Sequence, residues 1–246
     1  MNFCNIEFNI LKKNDLFTRQ QNETKCITPV NAQVIVLANT NKRYMDYINN
    51  NYSTFDGEIP LKIARKINKE FKNTEKLPGS EIVYDFCQFA KDNSFKVFFL
   101  GGYEDSNKNA VNIIHEKYGI QIEGFSPPYE SYPFSKEFSE ICLSRINNFR
   151  PDIIFIGFGA PKQEWFIGEN KQFFNSIGVK YLIGSGGTFE FVSGKIKRAP
   201  AWVSRIGFES IYRLLQEINI NRLKRILYSF KFIKYINHKP AWLNNQ

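Results

Sequence analysis

The sequence predicts an α/β protein: a mostly parallel sheet flanked by helices, with a basic helical appendage at its C-terminal end. Three observations predict it. Short β-rich runs alternate with segments of helical period, which is the pattern of a parallel sheet whose crossovers are helices. Three of those runs, "KVFFLGG" (residues 96–102), "DIIFIGFG" (152–159) and "VKYLIGSGG" (179–187), are largely apolar and end in glycine. After Gly194 the pattern changes to amphipathic helices with basic flanks.

Taken in order, Lys25–Val30 and residues 120–125 read as further strands. Helical periods cover residues 59–71, 80–93, 105–118, 134–149 and 161–174. Pro161 suits a first helical turn, where its missing N–H costs nothing. In the C-terminal stretch Ile211, Leu214, Leu215 and Ile218, then Leu223, Ile226, Leu227 and Phe230, keep three-four spacing. The strand ends define a Rossmann-like arrangement, in which ligands bind beyond the carboxyl ends of the strands.

Composition narrows the partners. The net charge of +9 favours an anionic one: nucleic acid, an acidic membrane surface or a phosphorylated substrate. Basic residues crowd residues 195–239, opposed only by Glu209 and Glu217. The four cysteines are far apart and only two histidines accompany them, so no metal site is expected. The start, "MNFCNIEFNILKKNDLF", lacks the continuous apolar core of a signal peptide, and no run approaches the roughly 18 to 20 apolar residues of a bilayer span. The expectation is a cytoplasmic protein with reduced thiols.

Glycines at the strand ends (Gly101 and Gly102, Gly157 and Gly159, Gly184, Gly186 and Gly187) can let the backbone approach a nucleotide, or can simply end strands. They do not form the dinucleotide fingerprint, because Lys162 stands where GxGxxG needs a glycine, and no P-loop GK[ST] occurs. "APKQE" crowds Lys162, Gln163 and Glu164 into one helical turn: Lys162 can face a phosphate, Gln163 a sugar hydroxyl or uracil edge, and Glu164 can cap the helix or orient a hydroxyl. The alternative is a solvated, charged first turn. In "TFDGEIP", Asp56 before Gly57 can serve as a general base, or mark a common Asp-Gly turn.

In this order the segments resemble the WecG/TagA/CpsF family of bacterial glycosyltransferases, glycosyltransferase family 26, from about Thr28 to Arg225. The most specific stretches are "PDIIFIGFGAPKQEWFIGEN" and "IGSGGTFEFVSGKIKRAPAWVSRIGFESIYRLLQE". The resemblance implies an inverting, metal-independent transfer of an N-acetylmannosamine-type sugar, or a related hexose or uronic acid, from a UDP-sugar. The acceptor implied is a polyprenyl-diphosphate-linked sugar, in cell-surface polysaccharide or teichoic acid biosynthesis.

On that resemblance Asp56, followed by Gly57, matches the proposed base, and Gln163 the glutamine near the reacting sugars. Asn31 matches the residue that opens the first helix, with Thr28 nearby. "KLPGSEIV" matches a loop that contacts the diphosphate, with Lys76, Gly79 and Glu81 where the family's usual basic and acidic residues are arginine and aspartate. Arg198, Arg222 and Arg225 become substrate contacts from an appendage that closes over the site. The implied organisation is a catalytic domain over residues 1–194 and an appendage over 195–246. Its basic helices would dock on an anionic membrane surface at the inner face of the cell membrane. The loop "FSPPYESYP" (125–133) is expected to shape donor choice. No nucleic acid is expected as partner on this reading, and a homo-oligomer is compatible with it. Two rivals remain at this level: a basic nucleic-acid-binding module, with Trp202, Tyr212 and Phe230 stacking on bases, and an enzyme that hydrolyses nucleotide-sugars without an acceptor.

Overall fold

The computed structural model describes residues 1–18, 23–216, 220–240 and 242. Strands β1 (Asn2–Phe3) and β2 (Ile6–Glu7) pair as a small antiparallel hairpin. Strands β3 (Lys25–Val30), β4 (Tyr52–Phe55), β5 (Val97–Gly101), β6 (Ile122–Phe125), β7 (Ile153–Gly157) and β8 (Tyr181–Gly184) form one parallel sheet. Its order is β4-β3-β8-β7-β5-β6, and helices flank it, the α/β Rossmann-like class that the sequence predicts. The chain divides into two compact units. One takes in residues 1–18, 28–78 and 196–246, and the other residues 19–27 and 79–195, so β3 begins in the second and ends in the first.

In the second unit, β5, β7 and β8 pair in consecutive register, Leu100 beside Ile156 and Phe155 beside Ile183. Val97 to Leu100, Ile153 to Ile156 and Tyr181 to Ile183 are all buried, as strands covered on both faces must be. Phe99 stacks on Phe189 at 4.7 Å between ring centroids, while Phe155 meets Phe86 and Phe99 edge to face. Such pairs add about 0.5–1.5 kcal/mol each beyond burial. The helices run Gly79–Asn93, Glu104–Tyr118 and Lys136–Phe149, the last capped by the Ser135 side chain, close to the predicted bounds. The single helix predicted over 161–174 is two, Lys162–Glu169 and Lys171–Ser176, divided at Asn170.

The first unit contains what the periodicity missed. Phe3, Ile6, Phe8 and Ile10 are buried, and Phe8 stacks on Phe55 with ring centroids 3.7 Å apart. Phe71 meets Phe55 edge to face at 5.5 Å. This aromatic cluster fixes the end of β4, a strand absent from the sequence prediction because it is short and half polar. Ser53 and Thr54 are buried in it, their hydroxyls donating to the carbonyls of Glu7 and Leu77 at 2.6 and 2.9 Å. Helices Ala32–Thr40 and Lys42–Asn49 lie between β3 and β4. The helix predicted over 59–71 is Glu58–Ile67 followed by a 3-10 turn, Lys69–Asn73. Asn68 ends the first and caps the second, its side chain accepting from Glu70 N–H.

The C-terminal part of this unit holds helices Ala201–Ile206, Glu209–Gln216 and Ile220–Ser229, then a 3-10 turn, Phe230–Tyr235. Its apolar residues are not all core: Trp202 is 67% exposed, Leu215 72% and Leu227 61%. Ile218 lies outside the described residues. No helix of the described residues is long and apolar enough to cross a membrane.

All four cysteines are free and buried. Burial pushes the Cys4, Cys87 and Cys142 thiols up from the ordinary 9.0 to about 12. The folded chain therefore keeps these protons where the unfolded chain loses them. Their support for the fold is complete below the unfolded value and is lost as pH rises through the folded one. At mildly alkaline pH, iodoacetamide should label the three thiols readily in urea and scarcely at all in the native chain, as read by mass spectrometry.

Candidate active site

In the first unit, β3 ends at Val30 and β4 at Phe55, and the next residue of each carries a polar group. Asn31 caps the helix Ala32–Thr40, its Oδ1 accepting from Val34 N–H at 3.1 Å. That bond fixes which way the amide faces, so Nδ2 is the donor that reaches Asp56 Oδ2, at 3.2 Å. Asp56 is itself anchored by its backbone N–H on Val30 carbonyl, at 3.0 Å. Both side chains are partly exposed. The arrangement is an oriented carboxylate at the end of a strand, with the Asn31 amide on it and the aromatic cluster behind Phe55. Thr28 is buried within β3. Gly57 caps the helix Glu58–Ile67 and lies against Asn31, where an added Cβ would sit 3.7 Å from the Asn31 Cα.

Lys76 belongs to the same unit and is mostly buried. Its ammonium pairs with Glu209 at 2.8 Å and with Glu58 at 3.8 Å. Nothing in the sequence flagged those two carboxylates. Arg198 and Arg225 are exposed. Arg222 is on the helix Ile220–Ser229, but its side chain lies outside the described residues.

In the second unit the "APKQE" turn is not the solvated one that its composition allowed. Gln163 is 4% exposed and Glu164 fully buried. Two backbone donors, Gly159 N–H and Gly186 N–H, point at Gln163 Oε1 from 3.0 and 3.1 Å. With the oxygen so committed, Nε2 faces Glu164 and donates to its Oε1 at 2.8 Å. Gln163 therefore ties the loop after β7 to the loop after β8. Lys162 is partly exposed, its ammonium 4.7 Å from the Tyr129 ring centroid and 3.4 Å from Glu130 carbonyl. Tyr129 and Glu130 belong to the loop expected to shape donor choice. Gly79 opens the helix Gly79–Asn93 and is buried, while Glu81 in its first turn is exposed.

The strand-end glycines divide into two kinds. At Gly101, Gly102, Gly157 and Gly184 the space of a side chain is already filled by the chain itself. Phe158 fills it at Gly101 and Phe189 at Gly102; at Gly184 a Cβ would come within 2.7 Å of Gln163 Nε2 and 2.8 Å of Glu164 Oε1. Gly159 and Gly186, at φ 81° and 51°, instead face open space and leave room for a ligand. Gly187 caps the short helix Thr188–Val192. Among the described residues no three His, Cys, Asp or Glu side chains group as a metal site.

Gly184→Ala should cost more than an ordinary Gly-to-Ala exchange in a strand, since the buried amide and carboxylate beside it must move. Overpacking of this kind costs about 1–3 kcal/mol, read as a lowered urea midpoint.

The chain is similar to known proteins over most of its length. The model of the glycosyl transferase WecG/TagA/CpsF family matches residues 1–241, beyond both ends of the stretch on which the resemblance rests. The N-acetylglucosaminyldiphosphoundecaprenol N-acetyl-beta-D-mannosaminyltransferase of Staphylococcus aureus strain MRSA252 is 29% identical over 225 residues, covering 89% of this chain and 83% of the relative. The proteins of that name from strains MW2 and NCTC 8325 are 29% identical over 226 residues with the same shares. A match over nearly the whole length, on a parallel sheet of this class, places the chain in the WecG/TagA/CpsF family of glycosyl transferases.

Proposed function

We propose that the chain moves an N-acetylmannosamine-type sugar, with inversion, from a UDP-sugar to a polyprenyl-diphosphate-linked N-acetylglucosamine during synthesis of a cell-surface polysaccharide or teichoic acid. The activity for which the relatives are named supports the sugar and acceptor classes. The observation that carries the chemistry is the bond from Asn31 to Asp56 in a chain of this family. Asp56 takes the proton of the acceptor hydroxyl as its oxygen attacks the anomeric carbon. The bond from that carbon to the UDP oxygen breaks as the new one forms, and UDP leaves with the electron pair.

Charge building on UDP needs fixed cations and backbone donors. Lys76, Lys162, Arg198, Arg222 and Arg225 are our candidates for the cations. The Gln163 tie supports a second part of the reading: it holds Gly159 and Gly186, two glycines at strand ends that face open space, in place before a donor arrives. Thr28, Gly57, Gly79, Gly101, Gly102, Glu164 and Gly187 then act by shaping the backbone or by supporting these groups. No cofactor enters this scheme.

The acceptor's lipid sets where the enzyme must work. The exposed apolar residues Trp202, Leu215 and Leu227, among the basic residues of 195–246, suit docking on an anionic bilayer at the cytoplasmic face of the membrane. On this reading the segment is a functional appendage to the residue 1–194 catalytic domain, and the basic charge matches diphosphate and lipid rather than nucleic acid.

Asp56→Asn should lower turnover by about 10²–10⁴-fold while the thermal shift given by UDP stays as in the wild type. Full turnover in that variant would remove Asp56 as the base. Replacing Leu215 and Leu227 together by aspartate, at positions exposed enough to tolerate it, should release the protein from vesicles rich in phosphatidylglycerol. The loss expected in partitioning is at least about tenfold, since each buried leucine contributes about 1.5–3 kcal/mol. Equal sedimentation of variant and wild type with those vesicles would refute docking through this face.

A further inference from the structure

One of the candidate cations, Lys76, stands in a charged cluster of its own. Lys76 sits between Glu58 and Glu209, and Glu58 also lies 3.7 Å from Lys62. The Lys62 ammonium in turn donates to the carbonyl of Arg205. Lys62 and Glu58 stand on the helix that starts two residues after Asp56, whereas Arg205 and Glu209 belong to the C-terminal segment. Between those two, Gly207 takes φ 87° and presses on the helix so closely that a Cβ there would collide with the Ile59 side chain. A short C-terminal stretch thus engages two cations beside the helix of the candidate base.

Glu58 and Glu209 are not equivalent partners of Lys76. The Glu58 side chain is 16% exposed, as is that of Lys76, and it is fixed to the helix. Glu209 makes the shorter contact yet is 41% exposed and rides on a different segment. Half-exposed pairs are weak and exchange readily. A diphosphate carries more charge and more acceptor oxygens than a carboxylate, so it competes well for the same ammonium.

We propose that Glu209 is an internal competitor for the phosphate site at Lys76. Its carboxylate stands in for a substrate diphosphate and latches the segment 201–216 onto the helix Glu58–Ile67. An arriving diphosphate displaces it and frees the segment. This rests on the reading of Lys76 as a diphosphate contact, and it adds the group that guards that contact and the segment that responds.

The test is titration calorimetry with inorganic pyrophosphate on wild type, Glu209→Gln, Lys76→Gln and the double variant, with hydrogen exchange of residues 201–216 followed in parallel. Circular dichroism checks that each variant folds. Glu209→Gln should bind pyrophosphate about three- to fivefold more tightly, the range that a half-exposed pair can contribute. Lys76→Gln should bind more weakly, and adding Glu209→Gln to it should restore nothing. Pyrophosphate should raise exchange across 201–216 in the wild type, and Glu209→Gln should show the raised exchange without it.

If Lys76→Gln weakens binding but Glu209→Gln binds as the wild type does, the latch is wrong and the Lys76 contact stands. If Lys76→Gln binds as the wild type does, both fall. Tighter binding by Glu209→Gln with pyrophosphate leaving wild-type exchange unchanged also overturns displacement, because the charge then acts without the segment moving.

Discussion

A parallel strand with helices on both of its faces has little room along its length for a polar side chain without a partner, and this constraint organises the molecule. In β5, β7 and β8 every side chain between the ends is apolar or aromatic and buried. Polar groups are displaced to where each strand stops, and the backbone there must turn. Turning leaves N–H groups without ladder partners, and something must satisfy them. Gln163 answers part of that need in the second unit. Its carbonyl oxygen collects Gly159 and Gly186 N–H, from loops at the ends of two neighbouring strands. The amide is buried because it is satisfied, and the loops keep their shape because the amide is buried.

The first unit solves the same problem differently. Asn31 uses one end of its amide to finish a helix and the other to hold Asp56, so one residue both caps a helix and orients a carboxylate. Behind Asp56 the support is apolar: Phe3, Phe8, Phe55 and Phe71 converge from three places in the sequence. A carboxylate held in one orientation gains from standing on packed aromatic rings, whose movement would open a void.

How legible each element is in the sequence depends on what its signal measures. The apolar, glycine-ended runs were legible because burial on both faces leaves a strong compositional mark, and the longer helices because their period spans several turns. β4 was not legible: four residues with two hydroxyls resemble a loop until Glu7 and Leu77 are seen to accept from them. The candidates Asn31, Asp56 and Gln163 were nominated by motif order. The bonding of Gln163 was not, since an amide near a helix start can serve the ligand or the chain, and only the positions of Gly159 and Gly186 decide. Gly184 illustrates the same limit. It reads as room for a nucleotide, yet the room is taken by Gln163 and Glu164. The pairing of Lys76 with Glu209, 133 residues further on, left no local mark at all.

The division of the chain has a consequence for how the protein comes into being. The unit that holds the Gln163 tie is complete in sequence by Lys195, while the unit that holds Asp56 draws on residues 1–18, 28–78 and 196–246. Chains emerge from the ribosome in order and domains fold as units. The half with the glycine loops can therefore settle while synthesis continues, with the first segment of the other half waiting for its last. The unit around the candidate base is assembled only once residues 196–246 have been made, so the carboxylate gains its full unit after the glycine loops have gained theirs.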